Sequence, residues 1–163
     1  MTQRFSNFLP FIFQHECEFA KGHYGDYNYV IAEEVAGDDG GVTKWGCDYR
    51  EFSEKPFNLT KDDIRNLTKE GATKLYWYNW DKYHVDQMPE KVGEVWFNCK
   101  VVSGANQAYK ILYRTGNNAA KFIADQKNVN SLIVKAHPSD AKFLNGWNAR
   151  LDDLSKYLHI QNA

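Results

Sequence analysis

The 163-residue chain has only three cysteines, Cys17, Cys47 and Cys99, and no CxxC pair. An odd count without paired spacing argues against a disulfide framework and offers no zinc ligand set, and it suits a reducing compartment. An excess of either charge is also missing. Twenty Lys and Arg stand against 21 Asp and Glu, for a formal net charge of −1. Such a balance gives no electrostatic footprint for nucleic acid or an anionic bilayer. No apolar run approaches the ~18 residues that span a membrane. The N-terminal "FSNFLPFIF" is too short and too interrupted for the apolar core of a signal peptide. Synthesis in the cytoplasm without a standard export signal is therefore expected, with no stable membrane insertion. Internal repeats, low-complexity tracts and linkers are absent as well, so a single domain over residues 1–163 is expected, acting as a monomer.

Aromatics are abundant: five Trp, ten Tyr and ten Phe make up 15% of the chain. Most are expected in the core, but amphipathic rings also suit a cleft that stacks on flat ligands such as sugars. Phe5, Phe8, Leu9, Ile12 and Phe13 form the stripe of an amphipathic helix, which Pro10 either starts or kinks. Extending that stripe by one step reaches Glu16, whereas Glu18 points elsewhere. Residues 22–50 are rich in Gly, Tyr, Val and turn residues and read as a small β-hairpin or meander, with a tight turn at Gly40-Gly41.

Residues 59–158 read as helical. Thr60 with Asp63 forms a capping box, and Thr68 caps the next helix. Pro89 suits a first helical position. Shorter helices are expected at 105–114, 118–127 and 129–136, and Ser139 is expected to cap the last one. The fold class is thus mainly α (α+β), a helical domain with a small β insertion after its first helix.

The chemistry concentrates in two places, Glu16 and the turn "GDDGGVTKWGC" at 37–47. A carboxyl whose pKa is raised by apolar surroundings can protonate a leaving glycosidic oxygen. Across a cleft, an ionised Asp assisted by a hydroxyl can position a water. Asp38 with Thr43 fits that role, and Asp39 and Asp48 are near enough to substitute. Each has an ordinary structural reading too: a helix-end Glu in solvent, a turn Asp bonding its own backbone, a β-branched strand residue. Trp45 and Tyr49 beside the turn are candidates for stacking on sugars, while Trp77, Trp80, Trp96 and Trp147 are assigned mostly to core. His15 and His23 with Glu16 and Asp26 fit no zinc signature, and neither metal nor cofactor is expected.

These motifs resemble glycoside hydrolase family 108, the muramidases. "HECEF" at 15–19 is similar to that family's "EGGY" element, and "DDGGVTKWGC" at 38–47 to its D-x-G-G-x-T turn. "LTKEGATKLYWYNWD" at 67–81, "MPEKVGEVWFNCKVVSGANQAYKILYR" at 88–114 and "FLNGWNARLDDL" at 143–154 resemble three further family segments in order.

The resemblance implies a lysozyme-like fold and hydrolysis of the β-1,4 bond between N-acetylmuramic acid and N-acetylglucosamine in peptidoglycan glycan strands. It implies Glu16 as general acid, with Asp38 and Thr43 flanking the attacking water, and inversion. Asn98 stands where the family has Asp and is assigned to substrate binding. Cys17 and Glu18 replace two family glycines. The 22 positions from Glu16 to Asp38 (38 − 16) exceed the family interval, so residues 22–36 read as an insertion. An endolysin or secreted bacteriolytic enzyme, reaching the wall through a holin-type lesion or a dedicated route, follows from this reading. The competing readings are an inactive saccharide-binding descendant, a hydrolase of a chitin-like or chitosan-like polymer, and a hydrolase using the Cys17 thiol.

Overall fold

The N-terminal stripe forms helix α1 (Gln3–Glu16), capped by the Thr2 side chain, which accepts a hydrogen bond from the Phe5 amide. Pro10 lies inside this helix rather than at its start. Phe5, Phe8, Phe11, Ile12 and Phe13 are all buried, so one stripe supplies much of the local core. Burying each such side chain contributes roughly 1.5–3 kcal/mol. This computed structural model describes residues 1–34 and 41–161.

The described residues divide into two compact units, Met1–Asn79 and Trp80–Ala163. In the first, α1 is followed by a three-stranded antiparallel sheet of β1 (Glu33–Glu34), β2 (Val42–Lys44) and β3 (Cys47–Asp48), in that order. Helices α2 (Tyr49–Phe52) and α3 (Lys61–Arg65) come next, then α4 (Lys69–Lys82), within which the boundary between units falls. The Gly40-Gly41 turn lies partly outside the described residues. A tight turn is present one strand later: Lys44 pairs with Cys47, leaving a two-residue loop of Trp45 and Gly46, both at positive φ (58° and 72°). That is the type I′ geometry whose twist matches a hairpin.

The capping box forms as expected. Thr60 Oγ1 accepts from the Asp63 amide, and Asp63 Oδ2 accepts from the Thr60 amide at 2.8 Å. Thr68 Oγ1 accepts from the Gly71 amide at the start of α4.

The second unit holds α5 (Val92–Ser103), α6 (Ala105–Thr115), α7 (Ala119–Ala136) and α8 (Ala141–Tyr157). Nine consecutive residues of α5, Val92 to Lys100, are buried, which is the pattern of a helix enclosed on all sides. Trp80 packs edge-on against Phe97 of α5, and Phe122 and Ile123 of α7 are buried as well.

Three expectations are corrected here. Residues 119–136 form one helix, not two, because Phe122, Ile123, Gln126 and Asn130 lie on one buried face that runs through the expected break. Pro89 precedes α5 by a turn, with Lys91 at the cap position at φ 67°. Ser139 sits in a 3-10 turn (Pro138–Asp140), and Asp140 takes the position before α8. The class itself is as expected: a mainly helical, lysozyme-like fold with a small sheet after the first helix.

Candidate active site

Glu16 is the last residue of α1 and is half-buried, while Glu18 is exposed. What holds Glu16 from the far side is backbone. At Gly46, in the two-residue turn, an added Cβ would fall 2.5 Å from the Glu16 Cβ and 2.4 Å from the Tyr76 hydroxyl. The turn can pack this closely on Glu16 only because it has no side chain there. Tyr76 in turn donates to the Trp45 carbonyl at 3.0 Å, and the Trp45 indole N–H donates to the Leu67 carbonyl. Trp45 is 4% exposed, stacked against Tyr27 and edge-on to Phe13, so it packs the turn into the core and offers no open face to a sugar.

The strands that leave this turn carry a row of polar side chains. Glu33, Thr43 and Asp48 are direct partners across β1, β2 and β3. Cross-strand partners share a face of the sheet. With Glu18, Gly41 and Arg50 they line a cavity of about 400 Å³. Asp48 accepts from the Arg50 amide at 2.7 Å, from Arg50 Nη2 at 3.0 Å and from Arg50 Nε at 3.2 Å. Partial burial works to raise its pKa, but these bonds and one from the Thr43 hydroxyl outweigh it, holding the carboxyl below its ordinary range. Glu33 is pushed the other way by partial burial and by the charges of Glu18 and Glu16. Two carboxyls on one face of a small sheet are therefore shifted in opposite directions.

Glu33 was not singled out in the sequence. "AEEV" reads as a solvated strand, and only the pairing of β1 with β2 brings Glu33 beside Thr43. Asp38 and Asp39 lie outside the described residues. Tyr49 opens α2 and is half-buried, with Lys61 Nζ 5.7 Å from its ring centre. Asn98 lies in the second unit, fully buried, with its Oδ1 accepting from Arg150 Nε at 2.9 Å.

Cys17 follows Glu16, and its thiol is pushed up to about 12 by burial and by the Glu16 charge. A thiol so protonated at neutral pH is a poor nucleophile. The segment read as an insertion closes on itself in its first part. Phe19 and Val30 form an antiparallel bridge, with Ala20 donating to Tyr29 and Ile31 to Glu18.

Residues 30–104 match the family described as Glycosyl hydrolase 108. That stretch contains Glu33, Thr43, Asp48 and Asn98, whereas Glu16 precedes it. Among solved structures, the chain is similar to that of Brucella abortus SagA, with 20% sequence identity and a TM-score of 0.71. The likeness covers 97% of this chain and 95% of that one. At this identity it is a likeness of fold. No curated protein matches the chain significantly. The resemblance carried by the sequence motifs thus has a counterpart over residues 30–104, where the chain is similar to that glycoside hydrolase family.

Proposed function

We propose that the chain is a peptidoglycan muramidase, a single lysozyme-type domain that cleaves the β-1,4 bond between N-acetylmuramic acid and N-acetylglucosamine with inversion. One observation carries this reading: Glu16, at the end of α1, is packed against the Gly46 turn whose strands bear Thr43 and Asp48. Glu16 donates its proton to the leaving oxygen. Asp48, held ionised, orients water with the Thr43 hydroxyl and offsets the positive charge that develops on the sugar ring. As the water oxygen bonds the anomeric carbon, the proton that it loses passes to the Asp48 carboxylate, which the Arg50 bonds keep ionised beforehand. Asp38, assigned to the same role by the family resemblance, competes with Asp48 for it. The enzyme acts as a monomer on glycan strands after release from the cytoplasm, as an endolysin or by a dedicated secretion route.

The test is clearance of a turbid suspension of bacterial cell walls. Wild type is expected to clear it, and Glu16→Gln to lose clearance while keeping its fold by circular dichroism. Asp48→Asn and Asp38→Asn, assayed side by side, identify the second carboxylate. Proton NMR of the first reducing ends formed reads the anomer and so decides inversion. Wild type that binds walls without ever clearing them overturns the enzyme reading in favour of an inactive saccharide-binding descendant.

A further inference from the structure

Three elements of the first unit, α1, the turn between β2 and β3, and α4, meet at one side chain, Tyr76. Tyr76 is buried with Ala72, Leu75 and Asn79, at the spacing of one helical stripe of α4. Its ring packs edge-on against Phe13 of α1, with ring centres 5.8 Å apart. Phe13 stands one turn before Glu16, and its carbonyl accepts from the Cys17 amide, closing the end of α1. The hydroxyl of Tyr76 donates to the Trp45 carbonyl in the turn.

A Cβ at Gly46 would stand 2.4 Å from the Tyr76 oxygen, 2.5 Å from Glu16 Cβ and 3.0 Å from Glu16 Cγ. The hydroxyl, the turn and the first two side-chain carbons of Glu16 are therefore mutual neighbours, with glycine backbone in the middle. The turn bounds rotation about the first bonds of the Glu16 side chain. A glutamate is rich in rotamers, and a carboxyl held in one geometry does not lose that freedom anew at each proton transfer.

The turn can do this only while it stays seated. The strands on either side of it are three and two residues long, and a hairpin so short is marginal by itself. What fastens its tip comes from α4 and the residue just before that helix. The Leu67 carbonyl holds the Trp45 indole, and the Tyr76 hydroxyl holds the Trp45 carbonyl, the peptide group that joins Trp45 to Gly46.

We propose that Tyr76 is a positioning residue for the general acid, fixing the Trp45–Gly46 peptide that bounds the Glu16 side chain. The inference rests on the reading of Glu16 as proton donor. Because Tyr76 acts through the turn, its hydroxyl bears on the rate of the chemical step and not on substrate affinity.

The experiment compares wild type with Tyr76→Phe, which keeps the ring on Phe13 and removes the hydroxyl. On soluble glycan strands prepared from peptidoglycan, kcat read from new reducing ends should fall about 10- to 100-fold, with KM within about twofold. In the ¹³C-labelled full-length chain, the Glu16 side-chain signals should shift, and those of Glu70, on the exposed side of α4, should not. A hydroxyl with a merely structural role would lower the melting temperature and leave both kcat and the Glu16 signals in place, and that result overturns the proposal. Tyr76→Met, also without a hydroxyl, takes over if Tyr76→Phe does not fold. Gly46→Ala supplies a further arm, because its methyl meets the Tyr76 oxygen. It should lower the melting temperature less in Tyr76→Phe than in wild type, and additive losses overturn the proposal. If wild type cleaves nothing, the muramidase reading fails, while the Glu16 signals and the melting temperatures still decide whether Tyr76 holds this side chain.

Discussion

The backbone of Gly46 rests directly on the side chain of Glu16, leaving no room for even a methyl group between them. The turn joining β2 to β3 is in this way the support for the carboxyl at the end of α1.

Replacing Gly46 with Ala tests that support. The new methyl meets Glu16 and the Tyr76 hydroxyl, at a backbone φ of 72° that favours glycine. A destabilisation of about 1–3 kcal/mol is expected from the backbone alone. Wall-clearing activity should fall further than stability accounts for, because Glu16 must move. Urea unfolding and clearance measured on the same preparation separate the two effects.

Thr43→Val keeps the β-branched shape of the strand and deletes the hydroxyl that bonds Asp48. The sheet should survive with a small stability change. Clearance should drop about 10- to 100-fold if Thr43 and Asp48 jointly position the water. An undiminished rate removes Thr43 from the mechanism.

The pH dependence of stability separates the two carboxyls. Asp48 has a lowered folded pKa, so it lends stability above its ordinary range, and that contribution is lost as pH falls through the folded value. Wild type should therefore exceed Asp48→Asn at neutral pH, with the gap closing as pH drops from about 4. Glu33 has a raised folded pKa and behaves oppositely, losing stability as pH climbs from its ordinary range through the folded value. Glu33→Gln should thus gain on wild type above that window and show no gain below it. Chemical unfolding at a series of pH values reads both.

Cys17 offers a fourth check. With its thiol pushed up to about 12, alkylation by iodoacetamide near neutral pH should be far slower than for an exposed cysteine. Cys17→Ala should retain clearance. Loss of clearance in Cys17→Ala but not in Glu16→Gln would reinstate the thiol as nucleophile.

How much of this could be read from the sequence depends on how local each feature is. The Phe5–Phe13 stripe and the Thr60–Asp63 box involve residues within two turns of one another, so their spacing alone predicts them. The continuity of α7 does not follow that way. Its middle, "QKNVN", contains weak helix formers, and what carries the helix through is the burial of Gln126 and Asn130 in the second unit. The Trp45-Gly46 turn has Gly at its second position, but Trp at positive φ is not a turn signal, and its stability comes from packing against Phe13, Tyr27 and Leu67. Glu33 needed the strand register. The 22-position interval from Glu16 to Asp38 does not reveal that the chain returns on itself between Phe19 and Val30.

That closure has a consequence for how the chain tolerates change. Because Phe19 and Val30 are already bridge partners, held by the bonds from Ala20 to Tyr29 and from Ile31 to Glu18, the residues between them form a detachable excursion with its ends together. Excision and a short splice would leave the path from Glu16 to the sheet unaltered, apart from the layer that Tyr27 contributes over Phe13 and Trp45. Length variation at this point is thus a change the scaffold can absorb, and Tyr27 is where shortening would be felt first.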